Sequence, residues 1–115
     1  MPIFRKNEMT ATPDVARPHI MMKQFSGEIL KVGIVNYKKG DVPPPHYHPN
    51  DEQWIYLLSG KLAVLLGDET TTAESGDLVY IPRNTIHGIR VLGDECVLLT
   101  CKDTSGGGGR GEGNT

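Results

Sequence analysis

At 115 residues, with 37% apolar and 23% charged positions and a formal net charge of −2, the chain reads as one globular domain with a single modest core. Its lysines and arginines form no stripe, which excludes the clustered cations that a nucleic-acid partner requires. The first residues hold no apolar stretch suited to a signal peptide and no later run suits a bilayer span, so the expected setting is the cytoplasm, away from membranes.

Residues 1–17 carry Pro2 and Pro13 and few periodic apolar positions, and read as an N-terminal arm. The folded domain is expected over 18–103. It starts with "HIMMKQF" (19–25), an apolar edge strand that a second subunit could pair with, which predicts a homodimer. "EILKVGIVNY" places Leu30, Val32 and Ile34 on one face and Lys31, Gly33 and Val35 on the other. "QWIYLL" and "KLAVLL" are joined by Ser59-Gly60, a pair suited to a tight hairpin. Further turns are expected at Gly67-Asp68 and Gly76-Asp77, and "IHGIRVL" and "CVLLTC" complete the series. Seven to nine strands with a turn signal about every eight to twelve residues predict an all-β antiparallel sandwich or barrel. The glycine-rich stretch 104–115 has little side chain to bury and much backbone entropy to lose, so it is expected to be a disordered tail, Arg110 included. Cys96 and Cys101 are an odd number of residues apart on one extended run, face opposite ways, and are expected to stay as reduced, partly buried thiols.

Chemistry concentrates in "PPPHYHPNDEQ" (43–53). On a strand, residues i and i+2 point the same way, so His46 and His48 present two imidazoles to one point. Pro43-Pro44-Pro45 fixes three φ angles and stiffens the approach. After a turn at "PND" the chain re-enters a strand at Glu52 or Gln53, either of which could turn an oxygen toward the imidazoles. Such a set suits one divalent transition metal (Fe, Mn, Ni, Zn, Co or Cu) at roughly 2.0–2.2 Å per ligand. A third imidazole must come from His19 or His87. His87 follows a rigid turn in which Asn84 can adopt a left-handed conformation, whereas His19 stands beside Pro18 without a companion.

These residues resemble the cupin family. Gly40-DVPPP-His46-Tyr47-His48-PNDE-Gln53-WIYLLS-Gly60 is similar to the first cupin motif, and Gly76-DLVYI-Pro82-Arg83-Asn84-TI-His87-GIR-Val91 to the second. The resemblance covers residues 28–100. It implies a double-stranded β-helix (jelly-roll) barrel holding one metal, with His46, His48 and His87 as ligands. Asn84 replaces the glycine of the second motif. Gln53 stands where most of the family has glutamate, with Glu52 beside it. Counting back from Gly60 favours Gln53 as the fourth ligand, with Ile55 and Leu57 following it inside the barrel; counting on from His48 allows Glu52. With Gln53 all four ligands are neutral, so the ion keeps its double charge and acidifies a bound oxygen more strongly than it would beside a carboxylate.

What this implies is a metal-dependent enzyme acting on a small oxygenated molecule (an enol, diketone, keto-sugar or phenol) by dioxygenation or by enolate-type isomerisation or cyclisation. The alternative is a non-catalytic module that stores or senses a metal or small ligand. Trp54, Tyr56 and Leu58, on the face opposite Gln53, are expected to pack between sheets or subunits. Asn36, Tyr37, Tyr80 and Arg90 are polar candidates near a barrel mouth whose plainer reading is packing or surface. Lys38-Lys39 reads as solvated surface.

Overall fold

A computed structural model describes residues 3–14, 18–41 and 44–104. Its strands are β1 (Thr12–Pro13), β2 (Met21–Ser26), β3 (Leu30–Lys38), β4 (Gln53–Leu66), β5 (Glu69–Glu74), β6 (Leu78–Ile81) and β7 (His87–Asp103). Every pairing is antiparallel, in the order β1-β2-β3-β7-β4-β5, with β6 on the first part of β4. This is the all-β barrel architecture that the strand spacing predicts.

Two long strands organise it. The C-terminal part of β7 pairs with β3 on one side and with the first half of β4 on the other, and its N-terminal part continues along the second half of β4. β4 in turn pairs with β6 over Gln53–Tyr56 and with β5 over Lys61–Leu66, so it passes from one face of the barrel to the other.

The expected hairpin at Ser59-Gly60 does not form. The chain runs straight through as β4, with register shifts against β7 on either side of Ser59. Gly60 has φ of 88°, and a Cβ there would lie 2.5 Å from the Glu95 carbonyl oxygen and 2.7 Å from the Cys96 Cβ. Glycine thus serves a bulge that bends β4 against β7 rather than a chain reversal. By the same logic "IHGIRVL" and "CVLLTC" are one strand, β7, continuous through Gly93 at φ 99°. The turn at Gly67-Asp68 forms as expected, with Leu66 opposite Glu69.

Alternation along β4 is complete from Gln53 to Leu58: Gln53, Ile55 and Leu57 are buried, Trp54, Tyr56 and Leu58 exposed. On β3 the buried face is Gly33, Val35 and Tyr37, while Val32 and Ile34 are half-buried. Val35, Tyr37, Ile55 and Leu57 form the interior together with Leu62 and Val64 of β4, Ile81 of β6 and Val91 and Leu98 of β7, among others. Leu57 is fully buried, which stabilises the fold by roughly 1.5–3 kcal/mol. Leu57→Ala would cost roughly 2–5 kcal/mol once the cavity is counted.

Of the N-terminal arm, Thr12 and Pro13 pair with Met22 and Met21, and Phe4 packs on Phe25 with ring centroids 4.7 Å apart. The glycine-rich tail beyond Thr104 lies outside the described residues. Cys96 is buried, Cys101 half-buried, and neither is bridged. Burial, reinforced by Glu95 and Asp41, pushes the Cys96 thiol up to about 11, so it stays protonated.

Candidate metal centre

Three buried imidazoles meet in the barrel. His46, His48 and His87 each offer a ligand atom, and these atoms lie within 4.8 Å of one another. Ring centroids are 5.0 Å apart for His46 and His48, 4.4 Å for His46 and His87, and 5.1 Å for His48 and His87. His19 is elsewhere: it is exposed, its Nε2 3.2 Å from Asp41 Oδ1.

Main-chain bonds bring the two distant segments together. The His46 amide donates to the His87 carbonyl at 3.0 Å, and the His87 amide donates back at 2.9 Å. A third bond, from the Asn84 amide to the His48 carbonyl at 2.8 Å, ties down the other end. Asn84 makes it from a left-handed conformation at φ 60°, the tolerance expected of it. The turn before His87 therefore sets the height of that ring against the other two.

The outer nitrogens fix the tautomers. His46 Nδ1 sits 3.1 Å from the Pro44 carbonyl and His87 Nδ1 sits 3.0 Å from the Thr85 carbonyl. A carbonyl only accepts, so each Nδ1 carries its proton and donates it, leaving Nε2 as the nitrogen suited to a metal. His48 Nδ1 lies 3.6 Å from Asp51 Oδ1, and both side chains are buried. Burial holds the His87 imidazole down to about 4; the neighbouring His46, His48 and Lys102 act the same way, against the opposing hydrogen bond to Thr85. His87 is thus a neutral, ligand-competent imidazole at ordinary pH.

Strand parity turns the two adjacent oxygen donors to opposite faces. Gln53 is 5% exposed and lines the cavity together with His46 and His87. Glu52 faces outward, where its carboxylate accepts the Tyr80 hydroxyl and raises that phenol above its ordinary range. Inside, Gln53 Nε2 donates to Thr100 Oγ1 at 2.6 Å. The Gln53 Oε1 and His87 Nε2 atoms are buried without a hydrogen-bond partner. A buried acceptor left unmatched costs about 1–3 kcal/mol, and a cation would satisfy both atoms at once. The residues fit a divalent metal with nitrogen and neutral-oxygen donors.

Of the other polar candidates, Tyr37 lines the cavity, whereas Asn36, Tyr80 and Arg90 are not among its described lining residues. Trp54, Tyr56 and Leu58 stand on the outer surface, Trp54 packed on Tyr80 at 4.6 Å. Sequence reasoning missed three residues. Asp51, assigned to a turn, backs His48; Thr100 orients Gln53; Lys102 brings a buried cation to the cavity wall. An acid three residues after a ligand histidine was the available signal for Asp51. Thr100 and Lys102 reach the site only through long-range register.

Known proteins resemble this chain in sequence and in fold. The cupin-domain family model matches residues 33–101. The chain is 33% identical to the polyketide synthase CurC of Streptomyces cyaneus over 56% of its own length and 42% of that protein's. It is 29% identical to the pectin degradation protein KdgF of Dickeya dadantii (strain 3937), over 65% of this chain and 67% of the other. The structure of KdgF from Halomonas sp. superposes with a TM-score of 0.80 at 26% identity, covering 90% of this chain and 93% of that one. No helix among the described residues is long and apolar enough to cross a membrane.

Proposed function

Because this chain belongs to the cupin family, we propose that it is an enzyme dependent on one divalent transition metal (Fe, Mn, Ni, Zn, Co or Cu), held by His46, His48, His87 and Gln53. The substrate is a small oxygenated organic molecule such as an enol, diketone, keto-sugar or phenol. One observation carries the reading: three buried imidazoles converge beside an inward amide oxygen that makes no hydrogen bond.

The donor set favours enolate-type isomerisation or cyclisation over dioxygenation. All four donors are neutral, so a bound divalent ion would act with its full charge as a Lewis acid on substrate oxygens. This chain's own residues supply the rest. The Pro44 and Thr85 carbonyls hold two rings by their Nδ1–H groups, and the Thr100 hydroxyl holds the amide, so the donors stay aimed without reorganisation. Val35, Ile55 and Leu98 line the cavity with hydrocarbon, which excludes water and strengthens electrostatic contacts inside. The relatives' names, one a polyketide synthase and one a pectin degradation protein, support a small oxygen-rich substrate.

The same proposal places the protein in the cytoplasm as a homodimer, with no nucleic-acid or membrane partner. Support for pairing comes from the outer face of β4 and β6, where Trp54, Tyr56, Leu58, Leu78 and Tyr80 are all exposed.

The test is elemental analysis of the purified protein, followed by assays of oxygen uptake and of enol–keto interconversion across a panel of enols and diketones. Metal-dependent interconversion without oxygen uptake is the expected result. Iron-dependent oxygen uptake would move the assignment to a dioxygenase, and no turnover with any metal would leave a storage or sensing module. His48→Ala should remove most of the metal affinity; undiminished occupancy in that variant would overturn the centre itself.

A further inference from the structure

One rung of the sheet leads from solvent to the metal cradle, and it has a gap. Across β2, β3, β7 and β4 the register places Gln24, Gly33, Thr100 and Ile55 side by side. All four line the cavity. Gln24, at one end, is exposed. Thr100 holds the Gln53 amide at 2.6 Å. Gly33 stands between Gln24 and Thr100 with no side chain.

Nothing in the backbone calls for glycine there. Gly33 is not among the residues with positive φ, and it pairs on both sides within continuous ladders. A Cβ at this position would lie 3.4 Å from Thr100 Cγ2 and 3.9 Å from the Lys23 carbonyl oxygen, which are ordinary contact distances. Glycine inside a strand weakens it, through backbone entropy and the loss of a side chain to pack, and it often marks a place where a ligand approaches closely. The next rung, Met22, Val35, Leu98 and Leu57, is all hydrocarbon. Free space in the cavity amounts to about 40 Å³, room for about three waters. That suffices for the oxygen-bearing head of a ligand at the imidazoles, and the rest of the molecule must lie along the path to solvent.

We infer that Gly33 sets the specificity of the centre: the substrate is a flat enol or phenol whose conjugated ring lies over the bare backbone of β3. A keto-sugar is turned away, because its puckered ring is thicker and its hydroxyls find hydrocarbon at Val35, Ile55 and Leu98. The seat of the head rests on the metal centre proposed above; the path over Gly33 rests on the register and the missing side chain alone.

Isothermal titration into the metal-analysed protein compares benzohydroxamate with acetohydroxamate, which share one metal-binding head and differ by the ring. The ring should add at least about tenfold in affinity. Gly33→Ala should narrow that difference and Gly33→Val should nearly abolish it, with metal content and acetohydroxamate affinity at the wild-type level in both. Gly33→Ala should also melt no lower than the wild type; a fall of many degrees would mean that the glycine serves packing and would overturn the inference. So would equal affinity for the two probes in the metal-loaded wild type, or a ring preference that survives in both variants. If Gly33→Val does not fold, Gly33→Ala decides on the same criterion. A wild type that takes up no metal would sink the centre, and phenol alone would then judge the path: binding weakened in Gly33→Ala supports it, and equal or absent binding overturns it.

Discussion

His48 Nδ1 and Asp51 Oδ1 lie 3.6 Å apart, each on a side chain only 2% exposed. A buried carboxylate behind an imidazole orients the ring and makes its other nitrogen more basic. Asp51→Asn keeps the size and removes the charge. Metal affinity should fall by about 10- to 100-fold, read by competition against a chelator of known strength. Unchanged affinity would mean that Asp51 only fills space.

The depressed His87 value makes a statement about pH. Unfolded, this histidine titrates near its ordinary 6.5; folded, at about 4. Between those values the unfolded chain holds more protons, so stability is full above about pH 6.5 and declines as pH falls toward 4. After allowance for partial solvent access the loss is about 2 kcal/mol. Chemical denaturation of metal-free protein should show a lower midpoint at pH 5 than at pH 7. In His87→Gln, which cannot take up the proton, the difference should shrink; an equal difference in both proteins would remove His87 as the cause.

Gly60 should not tolerate a side chain. At φ 88°, with the Glu95 carbonyl oxygen 2.5 Å from where a Cβ would sit, Gly60→Ala adds backbone strain to a clash with main chain. The cost should be about 3 kcal/mol or more, a fall in melting temperature above roughly 10 °C. A drop of only a degree or two would show that the bulge relaxes. Gly67→Ala, with no neighbour within 4 Å, is the control that carries strain without the clash.

The proposed homodimer rests on the outer face of β4 and β6. Tyr56→Lys and Leu78→Glu change exposed positions that pair across that ladder, so the fold should survive. The mass from light scattering should fall from two chains to one. A wild type that is already a single chain, or a variant that stays paired, would remove this face as the interface.

The strands of the barrel were legible because turn residues punctuate short extended runs; in "QWIYLL" the residues after Gln53 are all apolar, and the period of two shows only in their alternating burial. The same period meant that Gln53 and Glu52 could not both face inward, but it left open which one did; the tolerance of asparagine for positive φ was legible at Asn84. Ser59-Gly60 was misread because a bulge glycine and a hairpin glycine carry the same conformational signature. Only the partner strand tells them apart, and β7 comes some thirty residues later in the chain. Lys102 was invisible as a cavity residue for a related reason. Its neighbours Lys31 and Gln53 are set by register across two ladders, which no local pattern encodes.

The exchanged amide bonds between positions 46 and 87, together with the Asn84 amide on the His48 carbonyl, bear on timing as well as geometry. An ion seated among the three rings could leave only if these stitches parted or its bonds broke nearly together. Its off-rate would then follow the breathing of the barrel, and chelators should strip it slowly even when they outbind the protein.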